Sequence, residues 1–201
     1  MHSIKRHIIP AVCLALTFVI LTWSGIAPYD RVTWYMEVAP VIIVIPVLWL
    51  SYERFPLSTL LYLLIFIHGV VLMVGGHYSY ARVPFFDGLW DGRNNYDKIG
   101  HFAQGFIPAL AIRELLVRTS PLRSGKWLNA IIVFACLGIS ALYELIEWGA
   151  AMMLGQGAEE FLGTQGDIWD TQKDMAFAGL GAVSALILLS RLHDTMLKPR
   201  R

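Results

Sequence analysis

Long apolar segments, separated by short polar ones, are the feature that most limits what this chain can fold into. A helix that crosses a bilayer needs about 20 consecutive, mostly apolar residues. Six segments approach this length: 8–25, 36–50, 57–76, 99–117, 127–154 and 175–192. We therefore predict an all-α membrane protein, a bundle of six transmembrane helices in one polytopic domain over residues 1–201. Pro40 and Pro46 interrupt the second segment, so we expect this helix to be kinked or to begin as early as Trp34.

Composition supports this class and excludes several partners. The chain is 56% hydrophobic and only 15% charged, whereas a soluble domain carries about 25% charged residues. The net charge is +1, and no basic patch or glycine-rich phosphate loop is present, so we expect neither a nucleic acid nor a nucleotide partner. Cys13 and Cys136 lie inside apolar runs, which predicts buried thiols and no disulfide. Membrane lipids are the expected partners, and the sequence leaves the oligomeric state open.

The distribution of charge predicts the orientation of the bundle. With a cytoplasmic N-terminus, most of the 16 lysines and arginines fall on the cytoplasmic side; the exceptions are Arg31, Arg82, Arg93, Lys98 and Lys173. This excess predicts that both termini are cytoplasmic. The acidic residues show the opposite bias, because all but Glu53, Glu114 and Asp194 lie on the outer side or in the outer half of a segment. We therefore expect any functional site to lie near the periplasmic face.

Three polar clusters lie at helix ends that this topology places on that face. In the first, Asp97 and His101 are spaced i, i+4 and share a stripe with Gln104. In the second, the stretch YELIEW places Glu144 and Glu147 on one face of the fifth helix. Ionisable groups inside a membrane are costly and mark functional candidates by default.

The third cluster precedes the sixth helix. Asp167, Asp170 and Asp174 are spaced i, i+3, i+7, and Asp170 is a candidate cap for this helix. Below Asp174 the same stripe continues with small residues, Ala178, Gly181 and Ala185, which predicts close packing against another helix.

Together the clusters predict a site of carboxylates with one imidazole. Such ligands suit a divalent cation, with magnesium, calcium or manganese favoured over zinc. The candidate catalytic residues are Asp97, His101, Glu144, Glu147, Asp170 and Asp174. The candidate metal ligands are His101, Glu144, Glu147 and Asp174, with His77 and Asp167 as further candidates. The alternative is structural. Asp97 and His101 then form only an intrahelical ion pair, and Asp167 and Asp170 belong to a solvated loop and a helix cap. Glu144 and Glu147 then pair with Lys98, Arg82 or Arg93.

Four stretches carry a resemblance to a known family. They are GGHYSYARVP (Gly75–Pro84), YDKIGHFAQGF (Tyr96–Phe106), YELIEW (Tyr143–Trp148) and GTQGDIWDTQKDM (Gly163–Met175). In these the chain resembles the YjdF-type inner-membrane proteins of bacteria, which implies a multi-pass protein of the inner membrane and no established activity.

The chain is also similar to VanZ-like proteins, a group associated with glycopeptide-antibiotic resistance. The shared elements are the pattern from Asp97 and Lys98 to His101 and Phe102, then Glu144, then the three aspartates before Gly179 and Gly181. This similarity implies that the three clusters act as one site.

Three functions fit these predictions. The first is metal-dependent hydrolysis or group transfer on a lipid or lipid-linked substrate, with Asp97 or Asp170 orienting His101 or acting as general base. The second is binding of a lipid headgroup or an envelope partner without turnover. The third is a small transporter, for which ionisable groups through the whole depth of the bundle would be typical.

Overall fold

The computed structural model describes residues 2–86, 92–154 and 164–197, and the regular elements in these ranges are all α-helices. The six helices are α1 (His2–Ser24), α2 (Arg31–Ser51), α3 (Thr59–Tyr78), α4 (Tyr96–Thr119), α5 (Lys126–Leu154) and α6 (Asp170–Leu197). The helix-only class is thus confirmed, although α1, α2 and α6 begin more than one turn before their predicted starts. We call the end of the bundle at which α2, α4 and α6 begin the upper end, and the opposite one the lower end.

Five of these helices are long and apolar enough to cross a membrane: His7–Ser24, Arg31–Ser51, Thr59–Tyr78, Lys126–Met153 and Asp170–Leu197. They establish a multi-pass membrane protein. The exception is α4, which has 24 residues but is too polar to meet the same criterion. Six spans and cytoplasmic termini therefore remain predictions.

Helix α2 shows how local chemistry fixes a boundary. Asp30 accepts a hydrogen bond from the backbone N–H of Thr33 at 2.7 Å and so caps the helix. This N–H also holds the pKa of the Asp30 carboxyl below its ordinary value. From there α2 runs through both Pro40 and Pro46 to Ser51, so the prolines do not end the helix.

The closest packing in the bundle joins α4 to α6. A Cβ atom built on Gly105 would lie 1.8 Å from the carbonyl oxygen of Ala178, and one on Gly181 would lie 2.1 Å from the carbonyl oxygen of Phe102. Only glycine permits backbones to approach so closely. Ala178 and Ala185 are also fully buried, so the predicted stripe of small residues is confirmed and its partner is α4.

A hydrophobic core lies in the lower half of the bundle, where α3, α4, α5 and α6 meet. Its fully buried members include Leu61, Ala109, Leu110, Leu128, Ile132, Cys136, Ala182 and Ala185. Cys13 and Cys136 are both free and buried, as the sequence predicts.

Below this core a buried network of charges ties α4 to α6. Glu114 accepts from His193 Nε2 at 3.0 Å and from Arg118 at 2.8 Å, and Arg113 donates to Asp194 at 2.6 Å. Arg113, Glu114 and His193 expose at most 1% of their surface. Removing one member of a buried ion pair is strongly destabilising, so this network sets how α4 and α6 sit against each other.

Candidate functional site

The upper halves of three helices bring together the side chains that the sequence singled out. Helix α4 contributes one stripe at its start, α5 contributes acids from its last three turns, and α6 contributes acids from its first two turns. Because α4 and α6 pack backbone to backbone, their polar starts lie close together. The side chains concerned are Asp97, His101, Gln104, Glu144, Glu147, Asp170 and Asp174.

His101 is at the centre of this group and is 5% exposed. Its Nε2 atom lies 3.4 Å from Asp97 Oδ1 and 4.0 Å from Asp174 Oδ2. Its Nδ1 atom lies 3.1 Å from Gln104 Oε1 and 3.8 Å from Glu144 Oε1. The two nitrogens thus face different partners, and two carboxylates converge on Nε2.

The atoms around Nε2 have the composition of a metal site. One ligand atom each from Asp97, His101 and Asp174 lies within 4.8 Å of the other two. Adjacent ligands of an ion with bonds of about 2.1 Å are separated by about 3 Å, so closing around an ion requires shifts of less than about 2 Å. The second oxygen of the Asp174 carboxylate, Oδ1, is buried without a hydrogen-bond partner. An orphaned buried acceptor is expensive, and a cation bound by this carboxylate would satisfy it, so the residues fit a divalent ion.

Gln104 gives the imidazole its orientation. An amide oxygen accepts hydrogen bonds, so its position 3.1 Å from His101 Nδ1 places a proton on that nitrogen. The other nitrogen, Nε2, faces Asp97 and Asp174 and would offer its lone pair to a cation bound between them. Partners behind a ligating histidine commonly fix the tautomer in this way.

Glu144 and Glu147, both predicted as metal ligands, occupy different places. Glu144 is 8% exposed and lies on the Nδ1 side of His101, where it is better placed to support the imidazole than to share an ion bound at Nε2. Glu147 is half-buried and faces a cavity. Within the described part of the chain, the group of potential ligands comprises Asp97, His101 and Asp174.

Asp167 and Asp170 are engaged by cations. Arg93 donates to Asp167 at 2.6 Å and to Asp170 at 2.7 Å, and Lys173 also contacts Asp167. The hydrogen bond from Lys173, assisted by the backbone N–H of Trp169, holds the pKa of Asp167 below its ordinary value. These aspartates join the segment before α4 to the start of α6, and the sequence analysis did not name Arg93 as their partner.

His77 is held on another side of the upper end. Its Nδ1 atom lies 2.9 Å from the carbonyl oxygen of Ser24, and its ring stacks on Trp23 with centroids 4.7 Å apart. These contacts join α3 to α1.

Glu37 and Tyr143 belong to the site although the sequence analysis did not select them as candidates. The Tyr143 hydroxyl donates to Glu37 Oε2 at 3.0 Å, and Glu37 is 5% exposed. A carboxylate in the middle of an apolar helix is an informative signal, but Glu37 stands outside the three polar motifs, so nothing in the sequence connected it with His101.

A cavity of about 820 Å³ begins at these residues and extends between the helices. Its upper end is polar, its middle is mainly apolar with His68 as an exception, and its lower end reaches His7 and Glu53. The upper end is lined by Glu37, Tyr80, Asp97, His101, Gln104, Tyr143 and Glu147. The candidate ligand group therefore opens into a space long enough for an extended molecule.

Relatives of the chain are membrane proteins. Residues 9–195 match the family described as "Predicted membrane protein (DUF2238)". Inner membrane protein YjdF of Escherichia coli (strain K12) is 51% identical over 201 residues, which cover 98% of this chain and 96% of that protein. No solved structure matches the chain. The similarity to VanZ-like proteins remains a prediction.

Proposed function

We propose that this chain, which belongs to the DUF2238 family of membrane proteins, is a metal-dependent hydrolase of the bacterial inner membrane. Its substrate is a lipid or a lipid-linked molecule, and its site faces the periplasm. The inner-membrane location follows from the relative in Escherichia coli, whose name states it. The periplasmic orientation rests on the excess of basic residues at the lower end of the bundle.

One observation supports this proposal above the others. Three potential ligands from two helices, Asp97, His101 and Asp174, converge at the upper end of a largely apolar cavity that Asp97 and His101 line, and one buried oxygen of Asp174 has no hydrogen-bond partner. A solely structural ion pair between Asp97 and His101 would not need the second carboxylate, Asp174, or the cavity. A membrane hydrolase needs both, since the polar bond must reach the ion while the apolar part stays out of water.

The side chains of the site have separate roles in this reaction. Asp97, His101 and Asp174 would hold a divalent ion, and that ion would supply a polarised water molecule as the nucleophile. Gln104 would hold the His101 ring with Nε2 directed toward Asp97 and Asp174. Glu147, which lines the same cavity, would accept a proton from the water and return it to the leaving oxygen. The hydroxyl of the water would be added to one side of the cleaved ester bond and the proton to the other.

Metal analysis of the purified protein tests the binding half of this proposal. We expect about one manganese or magnesium ion per chain in lipid nanodiscs, lost in Asp174→Asn and in His101→Ala. Glu53→Gln is the matched control, because it is an acid-to-amide change at the lower end of the cavity and should retain the ion. The assignment would be contradicted if the control lost its metal, or if Asp174→Asn kept the ion in full.

Turnover tests the catalytic half. Liposomes that carry radiolabelled lipid extract from a bacterial membrane should yield a water-soluble product only with the ion present and not with Glu147→Gln. Metal binding without any product would instead favour the second function, recognition of a lipid without turnover.

A further inference from the structure

We propose that the cavity binds a single-chain amphiphile with a primary ammonium head, the head held by Glu37, Glu147 and Tyr143 and the chain lying in the apolar part. This proposal rests on the proposed function and deepens it by naming a substrate class. It concerns a subsite that adjoins the metal ligands without sharing them, so it can fail while metal binding stands.

The charge of the cavity wall is the first argument. Glu37, Asp97 and Glu147 line the upper end, and no lysine or arginine is found among the described residues that line the cavity. Arg93, which lies near the ligand group, is bound by Asp167 and Asp170. A phosphate head would therefore meet carboxylates and no guanidinium or ammonium partner. One divalent ion offsets only part of this negative charge, so a cationic head is the complementary one.

The geometry of the acceptors is the second argument. A primary ammonium has three N–H donors and no acceptor. Glu37 and Glu147 each offer carboxylate oxygens, and the Tyr143 hydroxyl, which donates to Glu37, has lone pairs of its own. Tyr80 and Tyr143 also line this end of the cavity, and aromatic rings attract cations.

The apolar part of the cavity is the third argument. Its wall along α2 extends from Glu37 to Trp49, which corresponds to about 18 Å at a helical rise of 1.5 Å per residue. Its volume of about 820 Å³ lies near the upper end of the usual range for ligand sites. An elongated space with a charged end and an apolar body matches a long hydrocarbon chain with one polar head.

Gly69 offers a way to shorten this space without disturbing the helices. It lines the cavity, and a Cβ atom built on it would lie 3.8 Å from both Met73 and Val41, an ordinary contact distance. A leucine at this position should therefore extend into the cavity. Gly138 provides the matched control, because it lies on the exposed side of α5 with nothing within 4 Å of its built Cβ.

The test compares three ligands with the same chain: hexadecylamine, hexadecyl phosphate and hexadecanol. Binding to the full-length protein in detergent is measured by native mass spectrometry, with and without a chelator. We expect the amine to bind at least tenfold more tightly than the alcohol and the phosphate more weakly than both. With the chelator the amine should keep its affinity or gain, because removal of a divalent ion leaves the carboxylates of the cavity more negative. Gly69→Leu should weaken all three ligands, whereas Gly138→Leu should weaken none.

Variants at the head then locate the subsite. Glu37→Gln should reduce amine affinity tenfold or more and leave alcohol affinity unchanged, and Glu53→Gln at the opposite end should change neither. If Glu37→Gln does not fold, as judged by its thermal unfolding, Tyr143→Phe provides the same comparison with a smaller expected loss. The proposal would be overturned if the three ligands bound equally or if the phosphate bound more tightly than the amine. It would also be overturned if Glu53→Gln lost amine binding and Glu37→Gln did not.

Discussion

Replacing Gly181 by alanine should separate α4 from α6 and destabilise the protein. The added Cβ atom would lie 2.1 Å from the carbonyl oxygen of Phe102 and 2.9 Å from the backbone nitrogen of Phe106. Both neighbours are backbone atoms of α4, so no side-chain rotation can relieve the contact. The helices must move apart by about 1 Å or more before the carbon reaches an ordinary distance from the oxygen.

The size of the effect follows from two opposing terms. Adding a methyl group to a well-packed interior costs about 1–3 kcal/mol, and the rigid neighbours place this site at about the upper value. Alanine is a better helix former than glycine by about 1 kcal/mol. The net loss of unfolding free energy should therefore be about 2 kcal/mol.

Gly138→Ala isolates the second term. Nothing lies within 4 Å of its built Cβ, so only the helix propensity changes, and this variant should gain up to about 1 kcal/mol. Both substitutions are glycine to alanine, and the unfolding free energies of the two variants should differ by about 3 kcal/mol.

The two native cysteines allow the measurement without introduced cysteines. Cys13 and Cys136 are 8% and 0% exposed, so a thiol-reactive fluorophore reports unfolding during a thermal ramp. We expect Gly181→Ala to unfold at a lower temperature than the parent protein and Gly138→Ala at the same or a higher one. If Gly181→Ala were as stable as Gly138→Ala, the close approach of α4 and α6 would be refuted.

Three further changes test other parts of the structure. His193→Ala should lower the unfolding free energy by about 3 kcal/mol, because it leaves the buried Glu114 carboxylate without its imidazole partner; an unchanged thermal unfolding curve would exclude that pairing. Gln104→Leu should weaken metal binding about tenfold to 100-fold, since the His101 ring loses its fixed tautomer; titration of metal-free protein with manganese measures it, and unchanged affinity would remove Gln104 from the site. Asp30→Ala should cost about 1 kcal/mol at neutral pH, while Asp30→Asn should keep the cap. Because the pKa of Asp30 is lowered in the fold, its contribution is complete above the ordinary carboxyl pKa and is lost as the pH falls through the folded value, so the difference from the parent protein in chemical unfolding should shrink in acid.

Much of the helical layout could be predicted because the membrane imposes a length on apolar segments. The six predicted segments each overlap one observed helix. The boundaries were less accurate where polar residues lie inside a helix end. Helix α2 begins at Arg31, and α6 begins at Asp170, since caps and ion pairs at the upper end extend these helices beyond their apolar parts.

The site was predictable in part, because the spacing of residues along one helix shows which side chains lie on the same face of that helix. The spacing of Asp97, His101 and Gln104 correctly placed three side chains on one stripe, and His101 contacts the other two. Spacing along one helix cannot reveal which residue of another helix arrives opposite, so the contact between Glu37 and Tyr143 was missed.

Helix α4 packs inside the bundle although it is too polar to be counted among the membrane-crossing helices. It carries ionisable groups at both ends, yet its polar stripes face another helix. His101 is directed at Asp174 at the upper end, and Glu114 is directed at His193 at the lower end. Both partners belong to α6, whose small residues bring the two backbones together. A helix enclosed in this way needs apolar neighbours more than an apolar sequence of its own, because they separate its charges from lipid. The polarity that weakens α4 as a predicted span is thus what joins it to α6 and what forms the ligand group at the mouth of the cavity.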